Sequence, residues 1–376
     1  MARKTTKPKG NRPRRWAVSS TVAAILFTGV GLTGGSEQHA VLEQIATFDG
    51  WGEVMSLRWN PQGTELAAAS SDPTIRLRTI PGGKLAGKLI GHGSYVYDLD
   101  WKKGGRLLAS AACNGGDGEN CETGGVIVWD VESRSLVRRL PLEIETHAVA
   151  SRMEQKEGKP SAIDPHSQPG ADARAVAWSK DGRYLAVGGG AGTVKIWDTA
   201  TWKVIHESKP HWAITDMAWS QDGRLAVAAR DNTVSIWEFS GQRTARITHV
   251  LEHHTLDVYA VAWHPTLPLL ASSSGDRTVV IWDARREEII HTLKDFDGAV
   301  RSVAWRLDGS HLAATAYTLA SGAGEIWVYD TRSWQRVARG IGDKERTFRS
   351  IAWSPDGNLL ASGGTDYVIK LWRFTP

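Results

Sequence analysis

The sequence predicts an all-β protein built from seven similar units, each a four-stranded antiparallel meander. Three observations support this prediction. Short runs rich in aliphatic and β-branched residues alternate with turn residues, and the clearest set is Val258–Trp263, Leu269–Ser273, Thr278–Trp282 and Glu288–Leu293. A tryptophan ends the first run of a unit at seven places along the 376 residues. A second tryptophan, often followed by aspartate, ends the third run of several units.

The spacing of the first-run tryptophans sets the size of the repeating unit. They are Trp59, Trp101, Trp178, Trp219, Trp263, Trp305 and Trp353, at intervals of 42, 77, 41, 44, 42 and 48 residues. Five of the six intervals lie near the length of one four-stranded blade, which is about 40–45 residues. A single meander of this size buries little surface, so each unit needs neighbours against which to pack.

The third-run markers carry a family resemblance. Tryptophan-aspartate pairs end that run at Trp129-Asp130, Trp197-Asp198 and Trp282-Asp283, and in four units 19 residues separate the first-run marker from the third-run marker. This pattern resembles the WD40-repeat (tryptophan-aspartate repeat) β-propeller family over roughly 335 residues. The resemblance implies a single seven-bladed β-propeller with four-stranded antiparallel blades over residues 41–376.

The units differ in regularity along the chain. In the first, Arg78 stands where the third-run tryptophan is expected, and the fourth and fifth units follow the pattern closely. Insertions interrupt the pattern at about residues 113–125 and 143–173, and the longer one is expected in a loop between two blades. The last unit lacks a fourth run, whereas Val41–Thr47 is a run without three others before it. We expect this N-terminal strand to pair in the last blade and close the ring, which hides free strand edges.

The first forty residues have a different composition. Residues 1–15 hold seven basic and no acidic side chains, and Ala17–Leu32 carries no charge. This pattern is typical of an export signal, or of a signal anchor if the segment is retained. We therefore predict an extracytoplasmic protein, secreted or membrane-anchored, with membrane association through residues 16–32 only. The alternative is a cytoplasmic protein with a basic tail.

The charge and the cysteines limit the classes of partner and cofactor. The net charge is +4, but residues 16–376 hold 38 basic against 41 acidic side chains, so we predict no nucleic-acid partner. Cys113 and Cys121 flank a loop that contains Asp117 and Glu119. In an exported chain the two cysteines would form a disulfide, and in a cytoplasmic chain they would be free thiols. The loop oxygens could suit calcium, but their order does not match an EF-hand, so we predict no metal and no cofactor.

The family resemblance also implies a hydrogen-bond network inside several blades. Its members are a histidine before the first strand, a hydroxyl group, an aspartate before the third strand and the third-strand tryptophan. The matching residues here are His92, His254, Asp276, Trp282, Asp366 and Trp372. His254, a serine among Ser272–Ser274 and Asp276 have the composition of a catalytic triad, but the resemblance implies that they are buried and satisfy one another. We predict no catalytic residue.

One position in each unit predicts a binding surface. The residue four before each first-run tryptophan is expected to begin its strand near the central channel. Around the ring these residues are Met55, Tyr97, Arg174, Thr215, Tyr259, Arg301 and Arg349, and Tyr95 and Trp212 precede two of these strands. Tyrosine, tryptophan and arginine dominate binding hot spots, so all of these except Thr215 are predicted protein-binding residues. The three arginines suggest a partner with an acidic or phosphorylated segment.

The sequence therefore predicts a non-catalytic, monomeric propeller that is a rigid scaffold for a protein or peptide. The alternative is an exported propeller enzyme or small-ligand binder that uses the central channel and the 143–173 loop, where His147, Asp164 and His166 could supply reactive groups. The seven positions just described carry no carboxylate and no histidine, which argues against acid–base catalysis there. A third hypothesis is an extracytoplasmic sensor that signals through a second protein.

Overall fold

Seven four-stranded antiparallel sheets make up the computed structural model, which describes residues 40–114, 123–142, 172–240 and 244–376. The strands are β1 (Val41–Asp49), β2 (Val54–Trp59), β3 (Glu65–Ser70), β4 (Thr74–Thr79), β5 (Leu85–Ile90), β6 (Val96–Trp101), β7 (Leu107–Cys113), β8 (Gly124–Asp130), β9 (Ser135–Leu142), β10 (Ala173–Trp178), β11 (Tyr184–Gly189), β12 (Val194–Asp198), β13 (Lys203–Ser208) and β14 (Ile214–Trp219). They continue with β15 (Leu225–Ala229), β16 (Thr233–Ser240), β17 (Thr244–Glu252), β18 (Val258–Trp263), β19 (Leu269–Ser274), β20 (Val279–Asp283), β21 (Glu288–Leu293), β22 (Val300–Trp305), β23 (His311–Thr318), β24 (Ala323–Asp330), β25 (Arg336–Lys344), β26 (Phe348–Trp353), β27 (Leu359–Gly364) and β28 (Val368–Thr375).

Each sheet is one blade of a β-propeller, and the predicted fold class is confirmed. Blades 1 to 6 each use four consecutive strands, from β2–β5 to β22–β25. Blade 7 has the order β1-β28-β27-β26, with Val41 opposite Thr375 and Asp49 opposite Val368. The N-terminal strand therefore closes the ring, as predicted, and extends two residues beyond the predicted Thr47.

The hydrophobic core lies between neighbouring blades. One cluster joins Val279 and Ile281 of blade 5 to Val300 and Leu312 of blade 6, and all four side chains are fully buried. The first-strand tryptophans connect the innermost strands, because Nε1 of Trp305 donates to the carbonyl of Ala262 in the preceding blade at 2.9 Å. The same bond is made by Trp59, Trp101, Trp219, Trp263 and Trp353. These bonds align the first strands around a central channel.

Several predictions concern parts of the chain that the structure does not describe. The basic tail, the apolar run at residues 16–32, Cys121 and nearly all of the 143–173 insertion lie outside the described residues. The described residues from 40 onward belong to one compact unit, His39–Pro376. Within the described parts of the chain, no helix is long and apolar enough to span a membrane. The predicted disulfide therefore stays a prediction, with Cys113 fully buried at the end of β7.

Candidate protein-binding face

The loops divide between two faces of the ring. We call the face that carries the loop before each first strand the upper face, and the opposite one the lower face. The turn between the second and third strands of a blade also lies on the upper face, because it hydrogen-bonds to that loop. Ser71 N donates to Glu53 O at 2.9 Å in blade 1, and Gly275 N donates to Asp257 O at 3.0 Å in blade 5. Two sets of loops thus build one continuous surface.

A β-bulge shapes this surface in every blade. The pairing of first and second strands skips one residue near the start of the first strand, as between Val258 and Ala260 in blade 5. The skipped residues are Met55, Tyr97, Arg174, Thr215, Tyr259, Arg301 and Arg349. These are the seven positions that the sequence analysis selected. A bulge takes a residue out of the ladder and redirects its side chain, so each points away from the regular pleat.

The three bulge arginines have different surroundings. Arg174 donates from Nε to Asp172 Oδ2 at 2.6 Å, and Asp172 is 2% exposed. Arg349 pairs with Glu53 of the neighbouring blade 1. Arg301 instead lies over the ring of Tyr259, 4.2 Å from guanidinium carbon to ring centroid, and no carboxylate among the described residues forms an ion pair with it. Of the three bulge arginines, Arg301 is the one that forms no ion pair with a described residue.

Among the other residues of this surface, some side chains are packed inside the protein and others are exposed. Met55 is half-buried, and Tyr95 packs edge-to-face on Tyr97, whose pKa is raised to about 12 by burial and by the nearby Asp172 carboxylate. The hydroxyl of Thr215 donates to Val258 O at 2.6 Å. Trp212 lies 68% exposed in the loop before β14. An indole of that size in water is unusual and is typical of a contact residue.

The network in blade 5 joins both upper loops to the interior. His254 Nδ1 lies 2.8 Å from Asp276 Oδ2, and its Nε2 lies 2.8 Å from Ser272 Oγ. Trp282 Nε1 donates to the same Ser272 oxygen at 2.8 Å. Burial alone would raise the pKa of Asp276, but hydrogen bonds from His254 and Thr278 outweigh it and hold that pKa far below its usual range. Every member has a partner inside the blade, so the set stiffens the loops and leaves no nucleophile exposed.

Blades 2 and 4 carry variants of this network. In blade 2, His92 lies 2.8 Å from Asn114 Oδ1 and 2.6 Å from Ser110 Oγ. Burial lowers the pKa of His92 to about 4, and the hydrogen bond to the Asn114 amide offsets only part of that change. In blade 4, His211 lies 2.7 Å from Asp231 Oδ2 and 2.7 Å from the Ser235 hydroxyl. His211 was not predicted from the sequence, because it lies one residue closer to its strand than His92 and His254 do.

Blade 7 keeps the aspartate and the tryptophan but has no network histidine. Nζ of Lys370, on the third strand, pairs with the buried Asp366, and Trp372 Nε1 donates to Ser362 Oγ at 2.8 Å. Blade 3 has a buried lysine at the equivalent third-strand position, Lys195, which pairs with Glu207 at 3.4 Å. Positive charges therefore occupy the interior in these blades, each with a carboxylate beside it.

In blade 1 the loop before the first strand carries a tryptophan and the third strand carries an arginine, whereas blade 5 has a histidine in that loop and a tryptophan on the third strand. Trp51 lies three residues before β2, as His211 lies three before β14, and Arg78 replaces the third-strand tryptophan. The guanidinium carbons of Arg76 and Arg78 lie 4.6 and 4.5 Å from the Trp51 ring centroid. An indole thus fills this space from the loop, and the third strand supplies the cations. This explains how the departure at Arg78 is compatible with the fold.

The channel contains three carboxylates that the sequence analysis did not identify. Asp98 accepts hydrogen bonds from Ser56 at 2.9 Å, Arg58 at 3.0 Å and the Val176 N–H at 3.1 Å, which joins three blades. Asp100 accepts the Trp178 N–H, and Asp216 accepts the Val261 N–H. Burial raises the pKa of Asp100 to about 6 and, with the nearby Asp98 charge, that of Asp216 to about 7. Asp100 lies one residue before its first-strand tryptophan, and Asp98 and Asp216 lie three residues before theirs. Comparing these positions between blades would have identified all three carboxylates from the sequence.

The chemistry available to this channel is mainly structural. Carboxylates with pKa values of 6 to 7 can act as general acids or bases. Here, however, Asp100 and Asp216 accept backbone N–H groups of the following blade and hold the first strands in register. Across the described parts of the chain, no group of His, Cys, Asp and Glu is arranged to hold a metal ion. The geometry favours a role in joining blades.

Comparisons with known proteins agree with this architecture. The family model WD domain, G-beta repeat, matches residues 42–78, 83–130, 245–283 and 341–373. A second model, the WD40 domain of anaphase-promoting complex subunit 4, matches residues 161–222. Together the matched segments include parts of the first and the last described strands, and residues 131–160, 223–244 and 284–340 lie outside them.

Three relatives illustrate the range of similar proteins. Anaphase-promoting complex subunit cdc20 of Dictyostelium discoideum is 27% identical over 244 residues, which is 53% of this chain and 48% of that protein. Protein HIR1 of Cryptococcus neoformans is 27% identical over 302 residues, 69% of this chain and 32% of that protein. THO complex subunit 3 of Arabidopsis thaliana is 25% identical over 320 residues, 84% and 87% respectively. The chain spans about half the length of the first relative and about a third of the second.

The relatives correct one prediction from the sequence. We predicted an extracytoplasmic protein from the basic residues 1–15 and the uncharged run after them, and that prediction is wrong. Relatives such as an anaphase-promoting complex subunit and a THO complex subunit are proteins of the cell interior. Export and membrane anchoring have no support among them, and the cytoplasmic alternative fits. A basic, then apolar, N-terminal segment is a compositional pattern, and composition alone does not distinguish a signal from a tail.

The relatives also bear on the class of function. Several are subunits of protein complexes, which supports protein partners and a non-catalytic scaffold. With its seven blades, its recurring tryptophans and its matches to the family models, the chain is a member of the WD40-repeat β-propeller family.

Proposed function

We propose that this chain is a non-catalytic scaffold that binds a protein or peptide partner on its upper face. The partner presents an acidic or phosphorylated segment, and that segment contacts Arg301. The observation that carries the proposal is the position of the Arg301 guanidinium, which lies 4.2 Å from the Tyr259 ring centroid without an ion-pair partner among the described residues. A stacked guanidinium keeps its hydrogen-bonding edge free for a carboxylate or phosphate.

The surroundings of Arg301 support a binding site in this sector. A Cβ added at Gly275 would lie 3.3 Å from the Tyr259 hydroxyl and 3.5 Å from Leu256 Cβ, so these residues adjoin. Leu256 is 43% exposed. The site therefore combines a cation, an aromatic ring and an exposed aliphatic side chain. Such a combination suits a segment that carries both negative charge and apolar side chains.

The proposed binding site extends from blade 5 towards blade 4. Asn232 Nδ2 donates to Thr255 O at 3.3 Å, which connects the turn of blade 4 to the loop that carries Leu256. His211, next to Trp212, has both ring nitrogens 2.7 Å from partners inside the blade. The loop is thereby fixed while Trp212 remains exposed. A contact residue that is already held in place loses less conformational entropy when a partner binds.

The parts of the upper face on either side of this sector, in blades 3 and 7, are less suited to an acidic partner. Arg349 already pairs with Glu53, and Arg174 already pairs with Asp172. An acidic segment at either position would compete with an internal carboxylate. Arg301 has no such competition, so we expect binding to be strongest over blades 4 to 6.

A peptide array tests this proposal. The purified chain is applied to synthetic acidic, phosphoserine-containing, neutral and basic peptides, and the tightest binder is titrated in solution. We expect the chain to prefer acidic or phosphorylated peptides. We expect the Arg301→Glu variant to bind the best of these peptides at least about tenfold more weakly, because the substitution replaces electrostatic attraction by repulsion.

The matched control is Arg332→Glu. Arg332 is an exposed arginine of the same blade 6 but lies in the lower-face turn after β24. This variant makes the same change in net charge and is expected to bind normally. Equal loss in both variants would indicate a non-specific charge effect. Unchanged binding by Arg301→Glu, or a preference for basic peptides, would contradict the proposal.

A further inference from the structure

Nine residues other than glycine have a left-handed backbone in the described part of the chain. They are Trp51, Arg134, Trp202, Asn232, Arg277, Glu287, Trp334, Glu345 and Tyr367, with φ between 53° and 70°. This conformation is costly for a residue with a Cβ, and least so for asparagine and aspartate. A residue other than asparagine or glycine at such a position therefore needs an offsetting contact.

The lower-face members of this set have one. Trp202 packs edge-to-face on Trp178, with centroids 6.2 Å apart, and Trp334 stacks on His291 at 5.3 Å. Glu287 accepts from His249 at 2.6 Å, and Arg134 donates to the carbonyl of Ala86.

Two upper-face members also use their side chains internally. The Trp51 ring packs against the guanidinium groups of Arg76 and Arg78, and Asn232 donates to Thr255 O. In these six residues the side chain contributes contacts that compensate for the backbone.

Three members do not fit this rule: Glu345, in the loop before β26, and Arg277 and Tyr367. Arg277 and Tyr367 each follow the turn aspartate between the second and third strands, as Asn232 does in blade 4. Arg277 is exposed, and its side chain makes no hydrogen bond, ion pair or ring contact within the described residues. Tyr367 is 51% exposed, and its described side-chain contact is the Arg346 guanidinium, 5.8 Å from its ring centroid. The chain thus holds an arginine and a tyrosine where its own blade 4 uses asparagine.

The turn between them, in blade 6, is also exposed. Leu319 is 71% exposed, and its backbone N–H donates to Asp297 Oδ2 at 2.9 Å, which fixes the loop on the upper face. Three consecutive blades therefore present Arg277, Leu319 and Tyr367 from equivalent turns. We call these three residues the turn stripe.

We propose that the turn stripe is a contact surface for an extended peptide segment with an anionic group at Arg277 and apolar side chains at Leu319 and Tyr367. The inference deepens the proposed function and rests on it. An uncompensated left-handed backbone is a common property of ligand-contacting residues, because binding rather than stability maintains them. Arginine and tyrosine are also the side chains that contribute most to interfaces.

The test separates stability from binding. Arg277→Asn and Tyr367→Asn remove the side chain and supply a residue that tolerates the backbone, as Asn232 does. We expect each variant to raise the melting temperature by about 1–3 °C. Each should also weaken the best peptide from the array by about tenfold. A merely structural arginine or tyrosine would not raise stability when it is removed.

Two controls have the same left-handed backbone. Arg134→Asn makes the same substitution on the lower face, where it loses the bond to Ala86, so we expect no gain in melting temperature and unchanged binding. Glu345→Asn lies in the upper loop before β26, where the carboxylate also makes no hydrogen bond or ion pair with a described residue. We expect the melting temperature to rise and binding of an acidic peptide to be retained.

The outcomes distinguish the two proposals. If Arg301→Glu loses the peptide while both turn-stripe variants bind normally, the turn stripe is wrong and the proposed function stands. If Arg301→Glu and both turn-stripe variants all bind normally, both proposals fail. A fall in melting temperature for Arg277→Asn would show that its side chain stabilises the fold, and the inference from backbone strain would be overturned.

Discussion

Blades 5 and 7 fill the same buried place in two ways. In both, a third-strand tryptophan donates to a serine, from Trp282 to Ser272 and from Trp372 to Ser362, each at 2.8 Å. In both, an aspartate precedes the third strand. The group that reaches the aspartate differs, because blade 5 uses His254 from the loop before its first strand and blade 7 uses Lys370 from the third strand itself.

The difference shows that a buried aspartate before the third strand can be bridged by a lysine as well as by a histidine. His254 joins two upper loops, since Asp276 also accepts the Thr255 N–H at 3.0 Å. Lys370 joins its own turn to the fourth strand of blade 6, because its Nζ also donates to Asp343 Oδ2 at 3.1 Å. The loop before β26 is held separately by Thr347, whose N–H donates to Thr365 Oγ1 at 2.8 Å. In blade 5 several hydrogen bonds share the stabilisation of the aspartate, whereas in blade 7 the stabilisation depends mainly on one buried ion pair.

The largest expected effect follows from that ion pair. Lys370→Met leaves Asp366 as an unpaired charge whose side chain is 3% exposed. We expect the free energy of unfolding to fall by about 3–5 kcal/mol, because a buried carboxylate without its partner keeps its desolvation penalty. Urea denaturation measures the change.

The double variant is the decisive comparison. Lys370→Met with Asp366→Asn removes both charges, so much of the lost stability should return. Arg373→Met is the control on the same strand, since the Arg373 side chain is 58% exposed and its loss should cost little. If Lys370→Met is as stable as Arg373→Met, the ion pair is not what stabilises blade 7.

The histidine network predicts a smaller effect. His254→Ala leaves Ser272 and Asp276 without the imidazole but with their bonds to Trp282 and Thr278. We expect a loss of about 2–3 kcal/mol in the free energy of unfolding, from the unmade hydrogen bonds and the cavity. His253→Ala is the control, because that neighbouring histidine is exposed. A similar loss in both variants would contradict the network.

The smallest expected effect is a pH dependence of the free energy of unfolding, which compares the networks of blades 2 and 5. The pKa of His92 is about 4 when folded, against its ordinary value of 6.5, so the unfolded chain binds more protons between those pH values. Stability from this residue is therefore present above pH 6.5 and is lost as pH falls towards 4. Between pH 7 and pH 5 we expect a loss of about 2 kcal/mol.

Asn114→Asp converts blade 2 to the arrangement of blade 5 and sharpens the test. A carboxylate opposite His92 favours the imidazolium and raises the His92 pKa towards its ordinary value, so the pH dependence should shrink. Denaturation at pH 7 and pH 5 measures it, with the exposed His253→Gln as control. An unchanged pH dependence in Asn114→Asp would show that burial, and not the missing carboxylate, determines the His92 pKa.

Much of the fold was predictable from the sequence, because the blade is a local structure. Its strands, turns and marker tryptophans lie within about 45 residues of each other, so a repeat length and a two-residue alternation define them. Ring closure was predictable for a related reason. One unit lacked a strand and Val41–Thr47 supplied it, although the partners Val41 and Thr375 lie at opposite ends of the chain.

Less of the binding face was predictable, because its charges depend on contacts between blades. Counting back from the markers found the bulge residues, but it could not show that Arg349 meets Glu53, 296 residues away, or that Arg174 meets Asp172 while Arg301 stacks on Tyr259. The bulge also shifts the alternation in the first strand. The carboxylates Asp98, Asp100 and Asp216 therefore went unnoticed at positions that a regular strand would not direct to the channel.

The sequence by itself determined the architecture, with seven blades, their order and the strand that closes the ring. Repetition of short-range patterns encodes those features. Only the tertiary structure decided which charges remain available, because an ion pair forms wherever the ring brings two side chains together. It also decided that Trp51 takes the place that Arg78 leaves without an indole. Trp51 and Arg78 are 27 positions apart in the sequence but meet in one packed space, where the indole comes from the loop and the cation from the third strand. The repeat pattern shows only that the tryptophan at position 78 is missing.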